Sequence, residues 1–240
     1  MATIADNLQA VHARIAHAAA LAGRPPENIR LLAVSKTFGA AQISEAWHAG
    51  QRAFGENFVQ EALDKMRELP GFAIEWHFIG PLQSNKTRQV AEHFSWVHSI
   101  EREKTARRLN DARPAQLPPL NVLIQVNVSG EASKSGVAPG AEAALAAAIR
   151  ALPRLRLRGL MAIPEPTPDS SICHERFALL RRLQQGLHAA DGNIDTLSMG
   201  MSDDLEAAIA EGSTMVRVGT AIFGRRQVAK SERQAVSGKR

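Results

Sequence analysis

The chain has no tyrosine, and its one cysteine is Cys173. Without tyrosine, no phenol is available as an acid or a base anywhere in the sequence. Without a second cysteine no intrachain disulfide can form, which fits a reducing compartment and points to the cytoplasm. No apolar run approaches the roughly 20 residues of a membrane span, so no membrane association is expected. Asp6, His12, Arg14 and His17 interrupt the first twenty residues, which leaves no signal-peptide core there. His-Glu-x-x-His, paired Cys-x-x-Cys and P-loop patterns are missing, and the eight histidines show no ligand spacing, so no metal site is expected. Cys173 and His174 are adjacent on a helical stretch, where their side chains diverge, and they make a poor nucleophile pair.

What is present is globular. Hydrophobic residues are 45% and charged residues 22% of 240, enough for one large domain of the α/β barrel kind. The net charge of +5 is unevenly placed. Residues 225 to 240 hold six basic residues against Glu232, a surplus equal to the whole net charge, so residues 1 to 224 balance to zero. The domain is therefore expected over 1–224, and 225–240 reads as a basic, flexible tail. The tail has no aromatic residue on which a base could stack, which argues against specific nucleic-acid binding.

Ile4, Leu8, Val11, Ile15 and Ala19 recur at helical spacing, and Gly23, Pro25 and Pro26 end the run. Eight strands then alternate with helices. The strands are expected at about 30–35, 52–54, 73–79, 94–98, 120–128, 155–161, 194–198 and 215–218. Helices are expected at about 41–49, 57–69, 84–93, 101–111, 140–151, 171–190 and 203–211. This order predicts a (β/α)₈ barrel, a TIM barrel, preceded by one extra helix. The rival, an open doubly wound sheet, would announce a glycine-rich turn after the first strand, and Thr37 and Phe38 stand there instead.

Function in such a barrel gathers where strands end. The run Leu31-Leu-Ala-Val-Ser-Lys36 closes on one ammonium, and a lysine desolvated at a strand end can form a Schiff base with a carbonyl; the bland reading is a rim lysine in water. After the seventh strand, Ser202 reads as a helix N-cap, and such a terminus also attracts anions. After the eighth, Gly219 lets backbone amides approach a ligand, or is only a tight turn, and Thr220 opens the next turn. Arg217 alternates with Val216 and Val218, so it points inward, toward either a carboxylate or a ligand acceptor such as the ring nitrogen of pyridoxal phosphate (PLP). Arg154, Arg156 and Arg158 read as solvated stems on a strand.

Several motifs together carry a resemblance. Leu31 to Thr37, Phe54-Gly-Glu-Asn57, Trp76-His-Phe-Ile-Gly-Pro-Leu-Gln-Ser-Asn-Lys86, Ser133-Lys-Ser-Gly136, Gly159-Leu-Met161, Gly200-Met-Ser202 and Arg217-Val-Gly-Thr220 resemble those of the PLP homeostasis proteins, from the first helix to about Gly224. That family is similar to the barrel domain of alanine racemase. The resemblance implies a PLP-binding single barrel with Lys36 as the Schiff-base lysine. It implies that Ser202, Gly219 and Thr220 hold the phosphate, that Arg217 faces the pyridine nitrogen and that Asn57 lines the pocket. The family commonly has tyrosine after Gly-Glu-Asn, where this chain has Phe58. The function implied is a monomeric, non-catalytic carrier that keeps free PLP low and hands it to PLP-accepting enzymes. The alternatives are a PLP-dependent amino-acid racemase, a lysine Schiff-base aldolase, and a nucleic-acid binder working through the tail.

Overall fold

The computed structural model describes residues 2–131 and 135–224. The basic segment 225–240, and Ser133 and Lys134 of the Ser-Lys-Ser-Gly motif, lie outside the described residues. Helix α1 (Ile4–Leu21) opens on a reciprocal cap between Thr3 and Asp6 and buries Ile4, Leu8, Val11, Ile15, Ala18 and Ala19. Eight parallel strands follow in one closed barrel, each next to its neighbour in sequence. They are β1 (Arg30–Val34), β2 (Ala53–Glu56), β3 (Glu75–Phe78), β4 (Trp96–Ile100), β5 (Leu120–Gln125), β6 (Leu155–Met161), β7 (Thr196–Ser198) and β8 (Met215–Val218). Closure is direct, because Ala33 of β1 aligns with Phe54 of β2 on one side and with Val218 of β8 on the other. The connecting helices are α2 (Ala40–His48), α3 (Val59–Glu68), α4 (Thr87–His93), α5 (Glu103–Ala112), α6 (Glu142–Arg150), α7 (Ser170–Ala190), α8 (Leu205–Ala210) and α9 (Thr220–Phe223).

Alternation along each strand divides the apolar residues into two layers. Leu31, Ala33, Phe54, Phe78, Val97, Val122, Ile124, Leu197, Val216 and Val218 point outward and join the helices in the main core. Leu32, Val34, Ala53, Ile79 and Met215 form one cluster inside the barrel, and Trp96, Leu123 and Met161 form another. Buried polar side chains, His77, His98, Ser198 and Arg217, stand on the inward positions of β3, β4, β7 and β8.

Strands β6 and β8 begin and end where the sequence pattern predicts. Others move for identifiable reasons. β4 starts two residues later than expected because Phe94 ends α4, its N–H bonding to Val90 O. β5 stops at Gln125 rather than Val128, since the chain turns there and Val137 donates back to Gln125 O at 2.8 Å. Expected helix 57–69 begins only at Val59, which keeps Asn57 at the end of β2. Arg158 is less solvated than expected: it pairs with Asp195 at 2.6 Å and covers the Trp96 ring.

Candidate functional site

A cavity of about 600 Å³ opens at the end of the barrel where the strands finish, and Lys36, Asn57, Ser202, Arg217, Gly219 and Thr220 all line it. These six were singled out from stretches up to 184 positions apart in sequence, and the closed barrel brings them together. Arg14, Phe38, Ile79, Ile163, Met201 and Asp203 also line it and were not singled out as site residues, although Ile79 and Met201 sit inside quoted motifs. Arg14 comes from α1 and is held by a bidentate pair with Glu206 of α8 at 2.5 and 2.6 Å.

Lys36 stands two residues past the end of β1, after Ser35, and is half-buried. Its turn is strained and clamped. Thr37 has φ of +69°, a left-handed conformation that costs a non-glycine residue about 1–2 kcal/mol. The Thr37 N–H donates to Glu61 Oε1 at 2.6 Å, and Phe38 N–H donates to Ser35 O at 3.1 Å. Beneath this turn, the buried Lys65 ammonium donates to Ser35 O, Glu56 Oε1 and Glu61 Oε1 at 2.8, 2.7 and 2.5 Å. Ser35 Oγ donates to the same Glu56 oxygen at 2.6 Å. Burial pushes the Glu56 carboxyl up, and the Lys65 charge opposes this. Sequence reasoning missed Glu56, Glu61 and Lys65, although Glu56 sits inside a quoted motif.

Asn57 is fixed by a close approach of two loops. A Cβ on Gly80 would stand 2.3 Å from the Asn57 carbonyl oxygen, so only glycine lets β3 leave the barrel at that point. The Asn57 Oδ1 atom is buried without a hydrogen-bond partner, an opening for a ligand donor at the cavity wall.

Arg217 is 3% exposed and donates from Nη1 to Ser198 O and Oγ at 2.6 and 2.8 Å and from Nη2 to Ala162 O at 2.9 Å. The carboxylate alternative is not what holds it, since these acceptors are all neutral. Burial lowers its pKa to about 10, with the charge of Asp204 working against the shift. A guanidinium has five N–H bonds and these contacts use three, which leaves donors for a ligand in the cavity.

Ser202 is not the helix N-cap expected of it. α8 starts at Leu205, and Asp204 occupies the N-cap and accepts from Met201 N–H at 2.6 Å. Ser202 lies in the preceding turn with its hydroxyl available at the cavity. Gly219 is the N-cap of α9, and the first turn of that helix leaves the N–H groups of Thr220 and Ala221 without intrahelical acceptors. Phe58, at the family's tyrosine position, is 56% exposed and does not line the cavity. Among the described residues no cluster of three or more His, Cys, Asp or Glu could hold a metal ion, and no helix is long and apolar enough to cross a membrane.

The set is coherent chemically: an amine for a carbonyl, hydroxyls and helix-start amides for an anion, and a guanidinium for an acceptor, around a space suited to a small molecule. Comparison with known proteins bears on what that molecule is. The family model "Alanine racemase, N-terminal domain" matches residues 7–227. The pyridoxal phosphate homeostasis protein of Pseudomonas aeruginosa is 62% identical over 226 residues, 94% of this chain and 97% of its own length. The chain belongs to the pyridoxal phosphate homeostasis protein family. A second member, from Escherichia coli K12, is 58% identical over 96% of this chain and all of its own. Among solved structures, PipY of Synechococcus elongatus PCC7942 with PLP bound is 36% identical, with a TM-score of 0.78 over 92% of this chain and all of its own. Alanine racemase from Corynebacterium glutamicum is 19% identical with a TM-score of 0.66, covering 93% of this chain and 63% of that enzyme, a likeness of fold alone.

Proposed function

We propose that this member of the family binds pyridoxal 5′-phosphate in the cavity at the strand ends and serves PLP homeostasis as a carrier without substantial catalytic activity. The observation that carries this reading is the convergence of Lys36, Asn57, Ser202, Arg217, Gly219 and Thr220 on one cavity, in a chain 36% identical to PipY, whose structure holds PLP. The residues fit the group. When bound, PLP supplies an aldehyde that takes up amines and a ring that withdraws electrons. Lys36 is the amine placed to hold that aldehyde as a Schiff base. Ser202 and the amides of Thr220 and Ala221 meet the phosphate, Gly219 gives the backbone room to do so, and Asn57 supplies its unpartnered oxygen. Arg217 directs its remaining donors to the ring nitrogen.

The same reading makes the protein a monomer in a reducing cytoplasm that passes PLP to accepting enzymes, and Cys173 is a free thiol as such a compartment allows. Borohydride trapping of PLP-loaded protein followed by peptide mapping tests the covalent link. The label is expected on Lys36 and absent from Lys36→Ala; label on Lys86 or Lys134 overturns the assignment.

Racemisation requires an acid or base on each face of the substrate carbon. Among the described residues the cavity lining contains neither histidine nor tyrosine, Asp203 supplies a carboxylate there, and His77, the strongest candidate for a second base from the sequence, is 0% exposed inside the barrel and bonded to Glu75 and His98. Arg217 only donates, so it leaves a ring nitrogen unprotonated. PLP-loaded protein mixed with L-alanine in D₂O is expected to exchange the α-proton about 10² to 10⁴ times more slowly than a two-base enzyme.

A further inference from the structure

The interior of a barrel of this kind is ordinarily filled by branched aliphatic side chains. Here an unbroken polar line runs through it, between the two interior apolar clusters. Arg30, at the start of β1, pairs with Glu75 at 2.8 Å. Glu75 Oε1 lies 2.5 Å from His77 Nε2, His77 Nδ1 lies 2.9 Å from His98 Nε2, and His98 Nδ1 lies 3.0 Å from Ser198 Oγ. Ser198 Oγ accepts from Arg217 Nη1 at 2.8 Å. The line starts at the opposite mouth from the cavity and ends on a cavity-lining guanidinium.

The proton positions along it follow from its ends. Burial raises the Glu75 carboxyl, but the hydrogen bond from His77 and the Arg30 pair outweigh this and hold it below the usual carboxylate range, so it is an ionised acceptor at neutral pH. His77 must then donate from Nε2. Both rings are fully enclosed, and burial favours their neutral forms. A neutral His77 accepts at Nδ1, so His98 donates from Nε2, accepts at Nδ1 and receives the Ser198 hydroxyl proton. Every donor points the same way, from Arg217 toward Glu75. Such chains polarise one another, and each bond strengthens the next.

We propose that Glu75, His77, His98 and Ser198 are positioning residues for Arg217, a one-way hydrogen-bond relay by which a carboxylate at one mouth of the barrel sets the orientation and donor strength of the guanidinium at the other. The relay moves no proton. It gives a buried cation an acceptor polarised by a distant negative charge, in place of a carboxylate that would compete with the ligand for Arg217. The inference rests on the reading of Arg217 as the group that meets the ligand's ring nitrogen.

Two measurements on the full chain test it. In ligand-free protein labelled with ¹⁵N-histidine, His77 and His98 are expected to be neutral with the proton on Nε2, and Glu75→Gln is expected to shift the His98 resonances two links away. A proton on Nδ1 in either ring overturns the relay. The second measurement compares affinity for PLP with affinity for 1-deaza-PLP, which carries carbon in place of the ring nitrogen. The preference for PLP is expected to vanish in Arg217→Met and to fall about three- to tenfold in Ser198→Ala and Glu75→Gln, the loss of one hydrogen bond's contribution. If Arg217→Met removes the preference and the other two keep it whole, the chain is structural filler and the proposal fails. If Arg217→Met keeps it, the reading of Arg217 fails first and takes the relay with it. Glu75→Gln replaces a partly exposed carboxylate with an isostere, so it decides the matter even if Ser198→Ala does not fold.

Discussion

Ser202 and Thr220 are modest residues, and their significance comes from what surrounds them. The cavity wall between them carries hydroxyls and helix-start amides, donors suited to an anion, and Arg217 and Asn57 line the same space, where the proposed reading would set the ligand's ring. The two ends should therefore respond separately to ligand chemistry. Ser202→Ala is expected to weaken PLP binding by about 1.5–3 kcal/mol, the contribution of a charge-assisted hydrogen bond, and to leave binding of unphosphorylated pyridoxal unchanged. Titration of both ligands by absorbance checks this, and an equal loss for both would remove Ser202 from the phosphate end. Gly80 is a residue of a different sort, valuable for an atom it lacks. Gly80→Ala drives a methyl group into the Asn57 backbone and is expected to lower both melting temperature and PLP affinity, measured by calorimetry and fluorescence titration.

The turn after β1 is held by α3 more than by its own residues. Lys65 of that helix reaches under the strand end and ties Ser35, Glu56 and Glu61 together with contacts of 2.5 to 2.8 Å. Its side chain is 6% exposed and that of Glu56 0%, so this is a buried pair whose desolvation cost is recovered only while both partners remain. Lys65→Met strands the Glu56 carboxylate and is expected to cost about 3–5 kcal/mol in urea denaturation. The double variant Glu56→Gln with Lys65→Met is expected to recover most of that. It should not recover the rate at which PLP modifies Lys36, because the Ser35 carbonyl loses the Lys65 ammonium and keeps only the Phe38 N–H, and the left-handed Thr37 turn relaxes.

Folding encloses two histidines in the barrel interior and sets one salt-bridged carboxylate, Glu75, at its mouth, and this governs how the molecule responds to acid. His77 and His98 both titrate below 6.5 when folded, because burial disfavours their charged forms. The unfolded chain thus binds more protons below pH 6.5, and stability falls as pH drops from there until the folded-state pKa values are reached. Each ring contributes up to about 1.4 kcal/mol per pH unit in that window. Glu75 adds a second loss further down, since its stabilisation is complete above its ordinary 4.5 and disappears as pH falls toward about 2. Urea midpoints are expected to decline between pH 7 and pH 5, and His98→Gln is expected to flatten that decline. A midpoint constant across this range would show that the two rings are charged, or solvated, in the native protein.

Local chemistry was enough to reveal α1, with its apolar positions at steps of three and four, and to delimit β6 and β8, whose ends coincide with changes in pattern. It also marked Lys36, Ser202 and Gly219, because residues at strand ends in an eightfold alternation must share one rim, and the motifs around them resemble those of a known family. It could not show that α8 starts two positions beyond Ser202, with Asp204 at the N-cap position, because Ser and Asp are equally good caps by residue type, and the Asp204 carboxylate turns back to Met201 N–H rather than to the helix. The Lys65 clamp and the line from Glu75 to Arg217 were invisible for a different reason. His98 and Ser198 stand 100 positions apart, and Arg14 and Glu206 stand 192 apart. His98 and Ser198 meet because the sheet closes on itself and aims alternate residues at a common axis, Arg14 meets Glu206 because α1 packs against α8, and the hydrogen bonds that follow belong to that geometry, for which no stretch of sequence carries a local signal.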